Sequence, residues 1–298
     1  MLAQAHAQEA PRVIGANVAG HADALLGLMA YTVTPDVTTS SLSINNGSTG
    51  SPGLAMTQFG GGFTISRTTP LYMEGNAAYA RYDPRFVVTD GIQTRDLPTK
   101  WNSVTGTGGI GWDFRIADEW VLRPIFNFTL GYVSSDLSIA KWYIENRTNT
   151  QLNFLDDGHM SAGGLGGSLM LDWEQVRPDR EIDLEIRYTN IRLKSFSENK
   201  AMEAYSTAQS LSIWSRWRAP TGATVMDRPL RYVLEGAYSD FLGGDVTELG
   251  FNRLVSLGVG IEFDSSAYDI IVTRTRMLIR HVMGDGVSGW SLGIAVSF

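Results

Sequence analysis

The chain of 298 residues carries 24 basic and 31 acidic side chains, 32 glycines and no cysteine. Without cysteine, the sequence excludes thiolate catalysis, cysteine–zinc sites, iron–sulfur clusters and disulfide frameworks. A net charge of −7, with no cluster of Lys or Arg, argues against a nucleic-acid-binding surface.

The first residues carry a pattern that is typical of secretion. Ala5-His6-Ala7 before Gln8 has the small-x-small form of a signal-peptidase site, although almost no apolar stretch precedes it. We therefore expect residues 1–22 to contain a signal-peptide remnant and a periplasmic or plug segment; the alternative is an ordinary alanine-rich N-terminus. No run of about 18 apolar residues follows, so the sequence predicts no transmembrane helix.

From residue 23 onward the dominant pattern is alternation. In 288–298, bulky residues occupy most even positions, and glycine, serine and alanine occupy odd ones. A β-strand places alternate side chains on opposite faces, and helical spacing fits these segments poorly. The alternation predicts twelve strands, at 23–34, 54–67, 70–83, 100–116, 119–135, 159–175, 180–196, 207–219, 229–242, 250–264, 267–283 and 286–298.

The connections between the predicted strands alternate in length. Links such as 117–118 are tight turns, whereas 84–99 and 136–158 are long loops. An even strand number, with turns at one end and long loops at the other, is typical of outer-membrane barrels. The first strand is the least regular, and the alternative is a short plug at 11–22, with 36–45 extending a hairpin.

Aromatic residues gather near the predicted strand ends, as expected of girdles at the two membrane interfaces. They are Trp112, Phe114, Trp120, Trp173, Trp217, Phe263 and Phe298 at the turn end, and Tyr132 and Trp290 nearer the loop end. We therefore predict an all-β protein: a transmembrane antiparallel up-and-down barrel of about 12 strands over residues 23–298. It would lie in the bacterial outer membrane with extracellular loops and periplasmic termini; the alternative is a soluble β-sandwich.

Alternation also places the charged residues of the strands in the lumen. These are Glu74, Asp113, Arg115, Arg123, Asp183, Glu185, Arg187, Arg216, Arg218, Arg231, Glu235, Glu262, Arg274, Arg276 and Arg280. They could form an ion-pair network that holds a small barrel closed, or the arginine-rich wall of a narrow anion-selective pore. We favour the network because both signs occur on one face, as in Asp183, Glu185 and Arg187.

The last strand ends in a specific pattern. Ser291, Gly293, Val296 and Phe298 supply a polar residue, a glycine, a hydrophobic residue and a terminal aromatic at fixed spacing. This pattern resembles the C-terminal β-signal of bacterial outer-membrane proteins. The resemblance implies delivery to the barrel-assembly machinery, with Phe298 as the terminal aromatic.

Over about residues 24–298, size and strand count resemble those of the twelve-stranded translocator barrels of autotransporters. Only about twenty residues precede the first predicted strand, so the chain is most similar to the solitary outer-membrane autotransporter-like barrels. The resemblance implies a fold and a compartment, and little about activity. No pore-threading helical segment is evident before the first strand, so we expect no passenger secretion.

His159-Met160-Ser161 offers an alternative function. Outer-membrane phospholipase A and the lipid A deacylases carry a His-x-Ser-Asn motif, in which His activates the Ser nucleophile for acyl-ester cleavage. That resemblance would make His159 the base and Ser161 the nucleophile, with Glu198 as the nearest acid expected across the neighbouring hairpin. Ala162 stands where those families have Asn, so we expect no enzymatic activity.

No other pattern indicates a cofactor or a metal. The histidines lack metal-ligand spacing with a carboxylate, and glycine clusters such as 106–111 lie in strands and open no helix. We expect a monomer whose partners are outer-membrane lipids, including lipopolysaccharide, and the barrel-assembly machinery, with no nucleic acid. The predicted role is structural, or the display of the loops at 84–99 and 136–158, or a narrow pore.

Overall fold

In the computed structural model, antiparallel β-strands dominate the described part of the chain. The structure describes residues 29–30, 33, 40–44, 53–83, 85–89, 94–98, 100–135, 159–196, 205–225, 227–243, 252–264, 274–284 and 287–297. The strands are β1 (Ser40–Ile44), β2 (Gly53–Thr64), β3 (Leu71–Asp83), β4 (Arg85–Thr89), β5 (Thr94–Pro98), β6 (Trp101–Trp112), β7 (Phe114–Ala117), β8 (Trp120–Ser135), β9 (His159–Val176), β10 (Glu181–Phe196), β11 (Tyr205–Val225), β12 (Arg228–Phe241), β13 (Arg253–Asp264), β14 (Arg274–Gly284) and β15 (Val287–Ser297). Among these residues, none belongs to a helix of the length and apolarity that a membrane crossing requires.

Thirteen of the strands form one sheet that closes on itself. β1 pairs with both β2 and β15, and β6 pairs with both β3 and β8, so the ring has no open edge. β7 continues β6 beyond Asp113 and also pairs with β8. The ring therefore has twelve positions, which confirms the predicted fold class: a transmembrane antiparallel barrel of about 12 strands.

The strands are staggered around the ring. Directly opposite residues, followed from Trp120 on β8 through each neighbouring strand, lead back to β8 at Ser134, which is fourteen residues farther along. With twelve strands, this stagger tilts them by about 40° from the barrel axis. A row of opposite residues therefore climbs toward the loop end by about 3 Å per strand in the order β8, β9, β10.

The two faces of the wall follow the alternation of the sequence. On β10 the odd-numbered residues from Glu181 to Ser195 are buried, and the even-numbered residues are partly or largely exposed. β6 shows the same pattern. The outward face carries large exposed apolar side chains, including Phe59, Val104, Phe126, Phe128, Leu130, Leu165, Leu234, Leu257, Val259, Ile279 and Leu292. This apolar band is the surface that a membrane barrel turns toward lipid.

Eleven of the predicted strands correspond to observed ones, and the first does not. The strand predicted at 23–34 is wrong, because Met29, Ala30 and Val33 are helical and are fully or almost fully buried. The ring instead begins at β1, within the segment 36–45 that the alternative assigned to a hairpin extension. The expectation that no helical segment enters the pore is therefore also wrong.

The helical residues lie inside the loop half of the barrel. Thr107 Oγ1 on β6 donates a hydrogen bond of 2.9 Å to the carbonyl of Val33. A Cβ at Gly131 on β8 would collide with the terminal methyl of Met29. Met29, Ala30 and Val33 form one apolar cluster, which we call the plug cluster, with Trp101, Val133, Met160, Ala162, Ile191, Leu193 and Ala208. All seven wall residues lie on the inner face.

Two hairpins extend beyond the ring. β4 and β5 form a separate two-stranded sheet within the predicted loop 84–99. At the turn end, β11 continues to Val225, seven residues past Arg218, its last partner on β10. The segment predicted as a turn at 220–228 is therefore mostly strand, with its turn at 226–227. Its pairing with β12 shifts register between Pro220 and Thr224.

Candidate functional site

Below the plug cluster, the lumen is filled by ion pairs. Fourteen of the fifteen charged residues that the sequence places in the lumen are partly or fully buried along the inner wall or at its turn end. Arg115 is the exception: all four residues of β7 are exposed, because the irregular pairing of this short strand puts it beyond the enclosed part of the lumen. Placing Arg115 in the lumen was therefore wrong.

One ion pair spans the lumen between β3 and β10. Arg187 Nη1 and Nη2 donate to the two carboxylate oxygens of Glu74, at 2.9 and 2.6 Å. Their side chains are 2% and 4% exposed, and β6, β8 and β9 separate the two strands in the ring. The pair therefore connects distant parts of the wall and does not merely line one strand pair.

Neutral side chains complete the hydrogen bonding of this pair. Asn127 Nδ2 donates to Glu74 at 2.7 Å, and Ser168 Oγ donates to Asn127 Oδ1 at 2.6 Å. Ser168 also accepts a hydrogen bond from Arg187, whose Nε donates to Thr189 Oγ1. We call Glu74, Arg187, Asn127, Ser168 and Thr189 the central bridge. A buried charge pair that is this completely hydrogen-bonded is the arrangement that offsets desolvation.

A second group is centred on Arg123 of β8. Its Nε and Nη2 donate to the carboxylate of Asp113 at 2.5 and 3.1 Å. The guanidinium lies 4.0 Å from the ring centroid of Tyr72, and 3.6 Å from the carboxylate of Asp172. Arg123 thereby joins β3, β8 and β9 at the turn end of the lumen.

A third group joins two acids on β10 to arginines of three other strands. Asp183 binds Arg216 at 2.7 Å and Arg218 at 2.9 Å. Glu181 pairs with Arg218 at 3.0 Å, with Arg274 at 2.8 Å and with Arg231. Because β11, β12 and β13 separate β10 from β14, the pair formed by Glu181 and Arg274 also spans the lumen.

The remaining pairs lie between β12, β13 and β14. Glu262 is fully buried and receives two hydrogen bonds from Arg276, at 2.8 and 2.6 Å. Glu235 accepts a hydrogen bond of 2.6 Å from Arg280 Nε. Glu185 is also buried on the inner face of β10. The inner wall is therefore of mixed sign and is not a continuous basic surface.

Two participants were missed by the sequence analysis. Glu181 is the first residue of β10, and Asp172 has the same parity as the inward residues Ser168 and Met170 of β9. Alternation alone would have found both, because every second residue of these strands faces the lumen.

His159 and Ser161 lie together on the outward face of β9, as predicted for the alternative lipid-hydrolase site. His159 is exposed and stacks against Tyr132 with 6.2 Å between ring centroids. Within the described part of the chain, neither residue donates to or accepts from the other, and Glu198 lies outside the described residues. The structure thus places the two side chains on one face without assembling a catalytic triad.

The residues of the assembly pattern lie on or next to β15. Ser291 and Gly293 are buried on the inner face, while the side chain of Val296 and all of Phe298 lie outside the described residues. Among the described residues, no group of three His, Asp or Glu side chains is arranged to hold a metal ion.

Comparisons with known proteins relate the chain to autotransporter barrels. No family model and no curated protein matches the sequence. The β domain of the Bordetella autotransporter BrkA is 12% identical over 87% of this chain and 97% of that chain, with a TM-score of 0.50. The transport unit of AIDA-I from Escherichia coli (13%, 98% and 100%, 0.45) and the translocator domain of NalP from Neisseria meningitidis (14%, 97% and 100%, 0.43) are also similar. The chain thus has the fold of an autotransporter translocator barrel.

Proposed function

We propose that this chain is an integral barrel of the bacterial outer membrane that is closed to solutes and has a structural or surface role. The observation that carries the proposal is the obstruction of the lumen at two levels. Met29, Ala30 and Val33 occupy the loop half, and ion pairs cross the turn half. A conducting pore would need a continuous polar path, and neither half leaves one lined by uncompensated charge.

The orientation and assembly route are supported by the chain itself. The predicted long loops follow β3, β8, β10 and β12 at one end, whereas tight turns such as 118–119 and 177–180 lie at the other. Outer-membrane barrels put short turns in the periplasm, so the loops would be extracellular. The C-terminal pattern from Ser291 to Phe298 would be read by the barrel-assembly machinery.

The mixed sign of the inner wall favours the closed barrel over the narrow anion pore. Arg216, Arg218, Arg274, Arg276 and Arg280, the residues that suggested an anion path, all bind carboxylates. An arginine that is already paired offers less attraction to a passing anion than an unpaired one.

Planar-bilayer recording of the purified full chain tests the proposal. The closed barrel should show no reproducible stepwise conductance, and a variant with Glu74→Ala and Arg187→Ala should stay largely silent because the plug cluster is intact. Regular openings of the wild-type protein would overturn the closed barrel, and anion selectivity that is lost in Arg280→Gln would establish the narrow pore instead.

A further inference from the structure

The outward face of β10 changes character along its length. Ile182, Leu184, Ile186 and Tyr188 form its turn half, and Asn190, Arg192 and Lys194 follow in its loop half. Arg192 and Lys194 are exposed on the face that carries the apolar band on neighbouring strands. Charged residues are costly on the lipid face at the membrane centre and are tolerated near an interface.

The stagger of the barrel sets the height of these two cations. Lys194 lies opposite Gly163, and Gly163 lies opposite Leu130. Two steps along this row raise Lys194 by about 6 Å above Leu130, which is the level of Tyr132 on β8. Tyr132 and Tyr205 thus flank Lys194 at the loop-side edge of the apolar band, where aromatic girdles meet lipid headgroups.

The positions directly across from the two cations carry no charge. Arg192 lies between Leu165 and Thr207, and Lys194 lies between Gly163 and Tyr205, with its Nζ 5.4 Å from the tyrosine ring centroid. By contrast, Arg253 on β13 lies opposite Asp240 on β12. The cation pair therefore presents positive charge at the edge of the band without a carboxylate across the strand.

Below the cation pair the wall is apolar and concave. An open hollow of about 720 Å³ lies on the same side of the barrel, and its lining includes Phe126, Gly167, Leu169 and Tyr188. Gly167 lies opposite Phe126 and Asn190, two residues toward the turn end from the row of Arg192. The distance from the cation pair to the hollow is about four residues of strand, or about 13 Å, within reach of a lipid acyl chain.

We propose that Arg192 and Lys194 bind the phosphate of lipid A, the phosphorylated glycolipid of the outer leaflet, with one acyl chain in the hollow beside Gly167. This assignment rests on the proposed function, because it takes the loop end to be extracellular. The cations supply charge-assisted hydrogen bonds to phosphate, and Tyr132 and Tyr205 lie at headgroup level.

A second copy of the chain is a poorer occupant of the same surface. A two-fold contact centred here would bring the Arg192 and Lys194 pairs of two copies together, and like charges buried in a low-dielectric interface repel. A phosphate neutralises the pair instead, so the charge of this face matches an anionic lipid.

Native mass spectrometry of the full chain, released from detergent after incubation with diphosphorylated lipid A, tests the site. The variant with Arg192→Gln and Lys194→Gln should retain about tenfold less lipid A than the wild type, a change of about 1.4 kcal/mol. The matched control, Arg67→Gln with Arg115→Gln, removes two exposed cations at the turn end and should retain lipid A normally. Arg192→Lys with Lys194→Arg should retain most of it.

Further arms separate the explanations. Dephosphorylated lipid A should bind the wild type as weakly as diphosphorylated lipid A binds the double Gln variant. Equal retention by that variant and the wild type, equal retention of phosphatidylglycerol, or a dimer that only the wild type forms would each overturn the site.

Folding and location are measured on the same preparations. Heat-dependent gel mobility should show that every variant is a folded barrel. Wild-type protein recovered from the outer membrane without preferential lipid A binding would overturn this site alone, whereas recovery from another fraction would overturn the proposed function.

Discussion

The two halves of the lumen are filled by different chemistry. In the loop half, Met29, Ala30 and Val33 pack on apolar wall residues, and Val33 accepts a hydrogen bond from Thr107. In the turn half, charged side chains of the wall bind one another across the lumen. The loop half is thus closed by a segment outside the ring, and the turn half is closed by the ring itself.

This difference separates occlusion from stability. Removing the helical residues would expose an apolar collar without breaking any pairing between strands. Removing one partner of a transluminal ion pair leaves a buried charge inside the wall, which costs far more than one lost apolar contact. Substitutions in the turn half should therefore lower stability most, and substitutions in the loop half should chiefly change accessibility of the lumen.

The largest expected effect is that of Glu74→Leu, which strands the buried guanidinium of Arg187. We expect the free energy of unfolding to fall by about 3–5 kcal/mol, because an unpaired buried charge is left behind. Urea unfolding in detergent micelles, followed by tryptophan fluorescence, measures the change. Adding Arg187→Leu should restore most of the loss; a double variant that is no more stable than Glu74→Leu would contradict the central bridge.

Gly131→Leu should have a smaller effect on stability and a larger one on the plug. The new side chain would occupy the space of the Met29 methyl group, so we expect a loss of about 1–3 kcal/mol from overpacking. Displacement of the helical residues should appear as a gain of bilayer conductance relative to the wild type. Gly106→Leu is the matched control, since a side chain there meets open space beyond its ordinary contact with the Asn76 carbonyl.

Thr107→Val should have the smallest effect of the three. It removes the hydroxyl that donates to the Val33 carbonyl and replaces it with a methyl group of similar size, at a cost of about 0.5–1.5 kcal/mol. The same urea titration measures it, with Thr207→Val on the outward face of β11 as control. A loss as large as that of Glu74→Leu would mean that the two halves do not differ as described.

The wall of the barrel was predictable because its physics is local. The alternation in 181–196 fixes which side chains face the lumen, and the observed β10 differs from the predicted 180–196 by a single residue. Closure follows from the number of such segments and from the alternating lengths of their connections. These signals need no knowledge of which strands meet.

The contents of the lumen were less predictable. Parity places Glu74 and Arg187 inside, but a separation of 113 residues and three intervening strands hides their pairing. The helical residues were read as strand because 23–34 is almost continuously apolar, and a short apolar run does not distinguish a buried helix from a strand. Burial inside the barrel depends on the completed ring, which no local window contains.

The extension of β11 past β10 gives the turn end of the barrel a free β-edge, the kind of surface that recruits foreign strands. From residue 219 to Val225, main-chain groups on the β10 side have no partner strand in the described part of the chain. Pro220 has no N–H to offer there, and the register shift before Thr224 twists the edge away from a flat template. The protruding hairpin is thereby protected against edge-to-edge aggregation during its passage to the membrane.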